Sequence, residues 1–205
     1  MRKMFFISFC FLLMNTACGN EGSTTVANSA DTRETAVTDS INEAAFWKII
    51  DQSRSAAGNS YPRQITALAS ILGGFSAEQI SGFDDRFKDM LAVSYDGSLW
   101  AAATVINGGC SDDCFDYFRE YLIAQGKVRF YATLKDPDAS VSWIASESQV
   151  NWEGLRGVAA SVYKKKTGKS LPDSYQPAMK LKGRVPDEDA AIMKYPKLAK
   201  KFLGF

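Results

Sequence analysis

Between Asn107 and Gly126 the chain reads Asn-Gly-Gly-Cys-Ser-Asp-Asp-Cys-Phe-Asp-Tyr-Phe-Arg-Glu-Tyr-Leu-Ile-Ala-Gln-Gly. Two cysteines, two adjacent aspartates and an arginine gather there, and each type could do chemistry. Cys110 and Cys114 could pair as a disulfide or remain two buried thiols. On a regular helix, residues four apart hold their Cβ atoms about 5–6 Å apart, whereas a disulfide needs roughly 3.5–4.5 Å. Cys110 precedes the helix, so its backbone is free to approach, and both readings stay open. A zinc site would leave half its ligands unnamed, because the chain has no histidine. A nucleophilic Cys110 would gain from the positive end of a helix. It would face two carboxylates, however, and lack a base. No metal site and no catalytic residue is assigned.

Asp112 and Asp113 could serve as acid and base. Neighbours on a helix point about 100° apart, so the two would not share one substrate atom, and first-turn capping explains both. Arg119 could clamp an anion, although an ordinary ion pair is the simpler account. Trp100 could be a ligand platform or core. The turn Asn107-Gly108-Gly109 could bring backbone close to a ligand, or be only a tight turn. The candidate binding surface is therefore Trp100, Asn107, Gly108, Gly109, Cys110, Asp112, Asp113 and Arg119. A carboxylate-dependent enzyme using Asp112 or Asp113 is the alternative. Without histidine, Ser-His-Asp and Cys-His catalysis in their usual forms are excluded, and no cofactor is expected.

These residues need elements to hold them. Ser111 is a good N-cap, and Phe115, Phe118 and Leu122 follow at helical spacing up to a stop at Gly126. Upstream, Asn42 caps a helix that puts Phe46, Ile49, Ile50 and Ser53 on one face and stops at Gly58. Pro62 opens a short helix to Leu72. Ser76-Ala77-Glu78-Gln79 is a capping box for a helix with Ile80, Phe83, Phe87 and Met90 inward, ended by Asp96-Gly97. The apolar run Leu99–Ile106 predicts a buried helix, with a strand left open for its last four residues. Downstream, helices are expected over 127–134 and 150–167, the latter stopped by Gly168. A loop over 169–185 follows, then a final helical piece broken at Tyr195-Pro196. No strand alternation is long enough to build a sheet. The fold class is all-α, a single compact multi-helix domain over residues 41–205.

The 205 residues are 46% hydrophobic and 12% aromatic with net charge +1, enough apolar content for a real core. Arg2 and Lys3 precede an apolar run from Met4 to Met14, which fits a signal-peptide core and is too short to span a bilayer. Thr16-Ala17-Cys18 resembles a bacterial lipoprotein box, although Asn15 stands where a Leu-like residue is usual. Lipidation of Cys18 is the leading reading for residues 1–18, with ordinary cleavage nearby or an uncleaved anchor as alternatives. Residues 19–40, rich in Ser, Thr, Ala and Asn, read as a flexible tether reaching about 25 Å. From Lys164 onward there are eleven Lys or Arg against four acids. In an exported chain that balance fits anionic lipid headgroups or an acidic partner, and a solvated face is the simplest account. No nucleic-acid partner is expected.

Phe46-Trp47, Leu99-Trp100-Ala101-Ala102, the run from Ile106 to Asp113, Tyr117-Phe118-Arg119 and Ile123-Ala124-Gln125-Gly126 resemble the bacterial family catalogued as domain of unknown function 4240. The closing Asp187-Glu188-Asp189 and Tyr195-Pro196-Lys197-Leu198 with Phe202 are similar to its C-terminal pattern. Cys114 departs from it, standing where a small residue follows the two aspartates. The resemblance implies a small helical domain and brings no activity with it. Together these readings predict an exported, lipid-anchored helical domain in the bacterial cell envelope, binding a protein or small molecule there.

Overall fold

Helix starts and stops are set by local chemistry at almost every joint. Asn42 accepts the Ala45 N–H and opens α1, Glu43–Ala57, which Gly58 closes. Ser60 and Pro62 begin α2, Tyr61–Gly73. Ser76 and Gln79 form a reciprocal capping box at the head of α3, Ala77–Val93. Asp96 accepts the Ser98 N–H and starts α4, Gly97–Asn107. Ser111 accepts the Cys114 N–H at 3.3 Å and starts α5, Asp112–Ala124. Next come α6, Lys127–Lys135, and a 3-10 segment, Pro137–Ser142. The last three are α7, Val158–Thr167, α8, Glu188–Lys194, and α9, Pro196–Phe202.

The computed structural model describes residues 41–58, 60–146, 150 and 153–205, all within one compact unit. The signal segment, the tether and Cys18 lie outside the described residues. The chain is all-α. Among the described residues no strand forms, only one isolated parallel bridge between Asp96 and Lys182. No described helix is long and apolar enough to cross a membrane.

The core is aromatic and centres on Phe46, fully buried. Its ring meets Trp47 edge-on at 5.0 Å, Phe83 at 5.0 Å and Phe87 at 6.2 Å, while Phe130 of α6 packs on Trp47 at 5.1 Å. α1 packs chiefly on α2, α7 on α2 and α3, and α8 and α9 on α4. Buried polar groups tie these layers where backbone would otherwise go unsatisfied. Gln64 donates to the Ala124 carbonyl at 2.9 Å, serving one of the open carbonyls at the end of α5. Asp138 accepts the N–H groups of Lys197 and Leu198, capping α9 from 59 or 60 residues away.

Two expectations change. The helix expected over 150–167 exists only from Val158, because Gly154 takes φ 111°, outside any helix, and Gly157 follows in a turn. Asp96-Gly97 belongs to the start of α4, with α3 ending one turn earlier at Val93. The run that could have ended as a strand is helical through Asn107.

Candidate functional site

α3 and α5 touch only lightly. On α3, Asp84, Lys88 and Leu91 are spaced 4 and 3 apart, the spacing of one helical face, and Tyr95 follows just beyond its C-terminus. On α5, Asp112, Phe115, Asp116 and Arg119 stand 3, 1 and 3 apart, again one helical face. The two faces enclose a groove made of two adjoining depressions. The outer one, about 340 Å³, is lined by Tyr95, Trp100, Asp112, Phe115, Asp116, Arg119 and Met179. The inner one, about 200 Å³, takes in Asp84, Lys88 and Arg156 and shares Asp116, Arg119 and Met179 with the first.

Arg119 forms the floor. It is 2% exposed, and its Nη1–H donates to the Leu91 carbonyl at 2.7 Å. Its Nη2 pairs with Asp116, while its guanidinium lies 4.9 Å from the Tyr95 ring centre and 5.0 Å from that of Phe115. The Nε–H is buried with no acceptor. Burial holds the guanidinium below its ordinary range, opposed by the Asp116 charge. Trp100 stacks on Phe115 at 4.7 Å and donates its indole N–H to the Cys110 carbonyl at 2.9 Å.

Asp116 is a hinge between two cations. Its other oxygen meets Arg156 Nη2 at 3.3 Å, and Arg156 Nε donates to Glu120 at 2.8 Å. Glu120 also accepts the Arg156 backbone N–H. Burial pushes the Glu120 carboxyl up despite that arginine, and pushes Asp84 up despite Lys88. For Lys88, burial pulls the ammonium down, but hydrogen bonds with Asp173 and Asp84 win and leave it raised.

The roof is the extended stretch after α7. Lys88 donates to Asp173 at 2.9 Å and to the Tyr175 carbonyl at 3.2 Å, and the Tyr175 hydroxyl donates to Asp89. At the other end the Lys182 N–H donates to the Tyr95 carbonyl and its carbonyl accepts from Gly97. A side chain at Gly97 would run into the Arg184 backbone, so only glycine lets this strap seat. Between the two anchors Gln176, Pro177 and Met179 line the inner depression.

Of the residues singled out from the sequence, the structure brings together Trp100, Asp112 and Arg119. Asp113 borders a neighbouring depression of about 380 Å³ with Tyr117, Glu120 and Glu153, on the far side of the Asp116 and Arg156 that it shares with the groove. Asp112 and Asp113 therefore do not converge on one point. Asn107 ends α4 with its amide on the Ala103 carbonyl, and Gly108 and Gly109 turn at φ 64° and 125°; none of the three lines the groove. Cys110 and Cys114 are joined by a disulfide, with Cα atoms 5.2 Å apart, which fastens this turn to the first turn of α5. Sequence reasoning missed Asp84, Lys88, Tyr95, Asp116, Arg156 and Met179. Asp116, three before Arg119, and the Asp84–Lys88 pair, four apart on one helix, carried a local signal.

Among the described residues no three Cys, Asp or Glu side chains converge as metal ligands do. A larger depression of about 480 Å³ lies between α2 and α7, lined by Ala69, Ser70, Gly73, Val162, Lys165 and Lys166. It offers two amines and no opposed donor set, so the α3–α5 groove is the better candidate despite its smaller size.

Fold and groove define an all-α domain with a charged, aromatic-walled groove between two helices. The profile of the family described as protein of unknown function (DUF4240) matches residues 41–165, and the chain belongs to that family. The strap lies beyond the matched span. No curated protein and no solved structure matches the chain.

Proposed function

We propose that this protein is an exported binding domain, anchored to the cell envelope through lipidated Cys18, which takes a small polar molecule into the α3–α5 groove. The basic start, the apolar run to Met14 and Thr16-Ala17-Cys18 support the anchoring, and the composition of residues 19–40 supports a tether. The observation that carries the binding reading is Arg119. A guanidinium 2% exposed, with one N–H lacking an acceptor, sits beneath an open depression walled by aromatic rings and two aspartates. Buried polar groups are nearly always satisfied, and an exception beneath a depression marks where a ligand atom belongs.

Two measurements test the two halves. Metabolic labelling with a radioactive fatty acid should mark the wild type and not Cys18→Ala, which should leave the membrane fraction; an unlabelled wild type in the cytosol overturns the anchoring. Ligand-observed NMR on an extract of envelope small molecules should show resonances attenuated by the wild type and not by Met179→Ala. Identical spectra for the two proteins overturn the groove as the site.

A further inference from the structure

The cations that line the groove are all matched by carboxylates. Its ionic side chains are three acids, Asp84, Asp112 and Asp116, and three bases, Lys88, Arg119 and Arg156. Most are already paired with one another: Lys88 with Asp84 at 3.1 Å, and Asp116 with both Arg119 and Arg156. Glu120 on Arg156 and Asp173 on Lys88 bring two further carboxylates, so no cation here is left over to draw an anion in. A charged ligand would have to break a pair and leave its other half unmatched in a place where desolvation makes that costly.

Pairing does not use up the hydrogen-bonding capacity of these groups. A carboxylate offers about four lone-pair sites and a guanidinium five donors. The Arg119 Nε–H in addition has no acceptor. Facing them is an apolar wall of Tyr95, Trp100 and the Met179 side chain, the last 48% exposed. A ligand for this groove is uncharged, carries donors and acceptors along one edge, and presents an apolar face to aromatic rings. A sugar ring has this form, with hydroxyls at its rim and C–H groups on its faces. We propose, building on the groove as the binding site, that its ligand is a neutral saccharide, seated on Trp100 and Tyr95 with hydroxyls exchanged with Asp116, Arg156 and Lys88. The outer depression, about 340 Å³, lies at the low end of the roughly 300–1,000 Å³ usual for small-molecule sites, and the inner one, about 200 Å³, extends it.

The test titrates the purified full-length protein with tri-N-acetylchitotriose, cellotriose and maltotriose by calorimetry, with tryptophan emission as a second readout. N-acetylneuraminate, glucosamine and L-phenylalanine run alongside as anionic, cationic and zwitterionic probes. At least one neutral trisaccharide should bind with a dissociation constant below about 1 mM. Its affinity should hold as salt is raised and fall about tenfold, some 1.4 kcal/mol, in Asp116→Asn and in Met179→Ala. Met179 is exposed enough that its variant keeps the fold. Should only charged probes bind, and lose affinity in both variants, the saccharide class falls while the groove stands. A saccharide that binds both variants undiminished removes the groove as its site. Silence from all six probes overturns the saccharide proposal, and the extract experiment then judges the groove alone.

Discussion

The aromatic core around Phe46 and the groove between α3 and α5 share a helix but follow opposite rules. In the core, rings of α1, α3 and α6 meet at 5.0–6.2 Å with Phe46, Phe83, Phe87 and Phe130 sealed from water. Burial there stabilises by simple removal of apolar surface, so size and shape are all that matter. At the groove, Arg119 on its floor and Glu120 behind Arg156 are as buried as many core residues, yet they carry opposite charges held by Asp116 and Arg156. Burying ions costs about as much as their attraction returns, and apolar residues of equal size would often do better. Stability therefore accounts for the first region and not for the second.

That contrast can be broken or sharpened by substitution. The largest effect is expected in the core: Phe46→Ala should lower unfolding free energy by about 3–5 kcal/mol in urea denaturation. In the groove, Asp116→Ala should cost about 2 kcal/mol, since Asp116 is partly exposed but leaves Arg119 without its counter-ion. Replacing both Cys110 and Cys114 by serine should cost about 2 kcal/mol on the chain-entropy account. It should also shift tryptophan emission, because the Cys110 carbonyl accepts the Trp100 N–H. Ser111→Ala, which removes the α5 cap, should cost about 1 kcal/mol. The smallest effect is in pH dependence. Burial raises the folded pKa of Glu120 above its ordinary 4.5, so its stabilising contribution is complete below that value and lost as pH rises through the raised one. Glu120→Gln should remove this part of the decline, read as the difference between the two stability–pH curves.

The core was legible in the sequence because its signals are local. Asn42, Ser76 and Ser111 mark helix starts with side chains that reach only three residues, and Phe46, Ile49 and Ile50 repeat at helical spacing. The groove was mostly not legible. Trp100, Asp112 and Arg119 were picked out, but nothing near Arg119 in the chain tells that its donor will meet Leu91, 28 residues away. Arg156 reaches Asp116 across 40 residues, and Met179 arrives on a strap fixed through Lys88 and Lys182. The Asn107–Gly109 turn drew attention through its glycines, whose positive φ angles serve the corner between α4 and α5. The segment over 150–157 looked helical by apolar spacing alone, and the Gly154 backbone overrode it.

The central claim is that the groove's ion pairs serve recognition and not stability. Its most direct test replaces the four ion-paired residues together, Asp116→Leu with Arg119→Met, Glu120→Met and Arg156→Met, so that no buried charge is stranded, and reads both the urea midpoint and the attenuation of envelope-extract resonances. An unchanged or higher midpoint with attenuation abolished is the predicted result. A clearly lower midpoint with attenuation intact would contradict it.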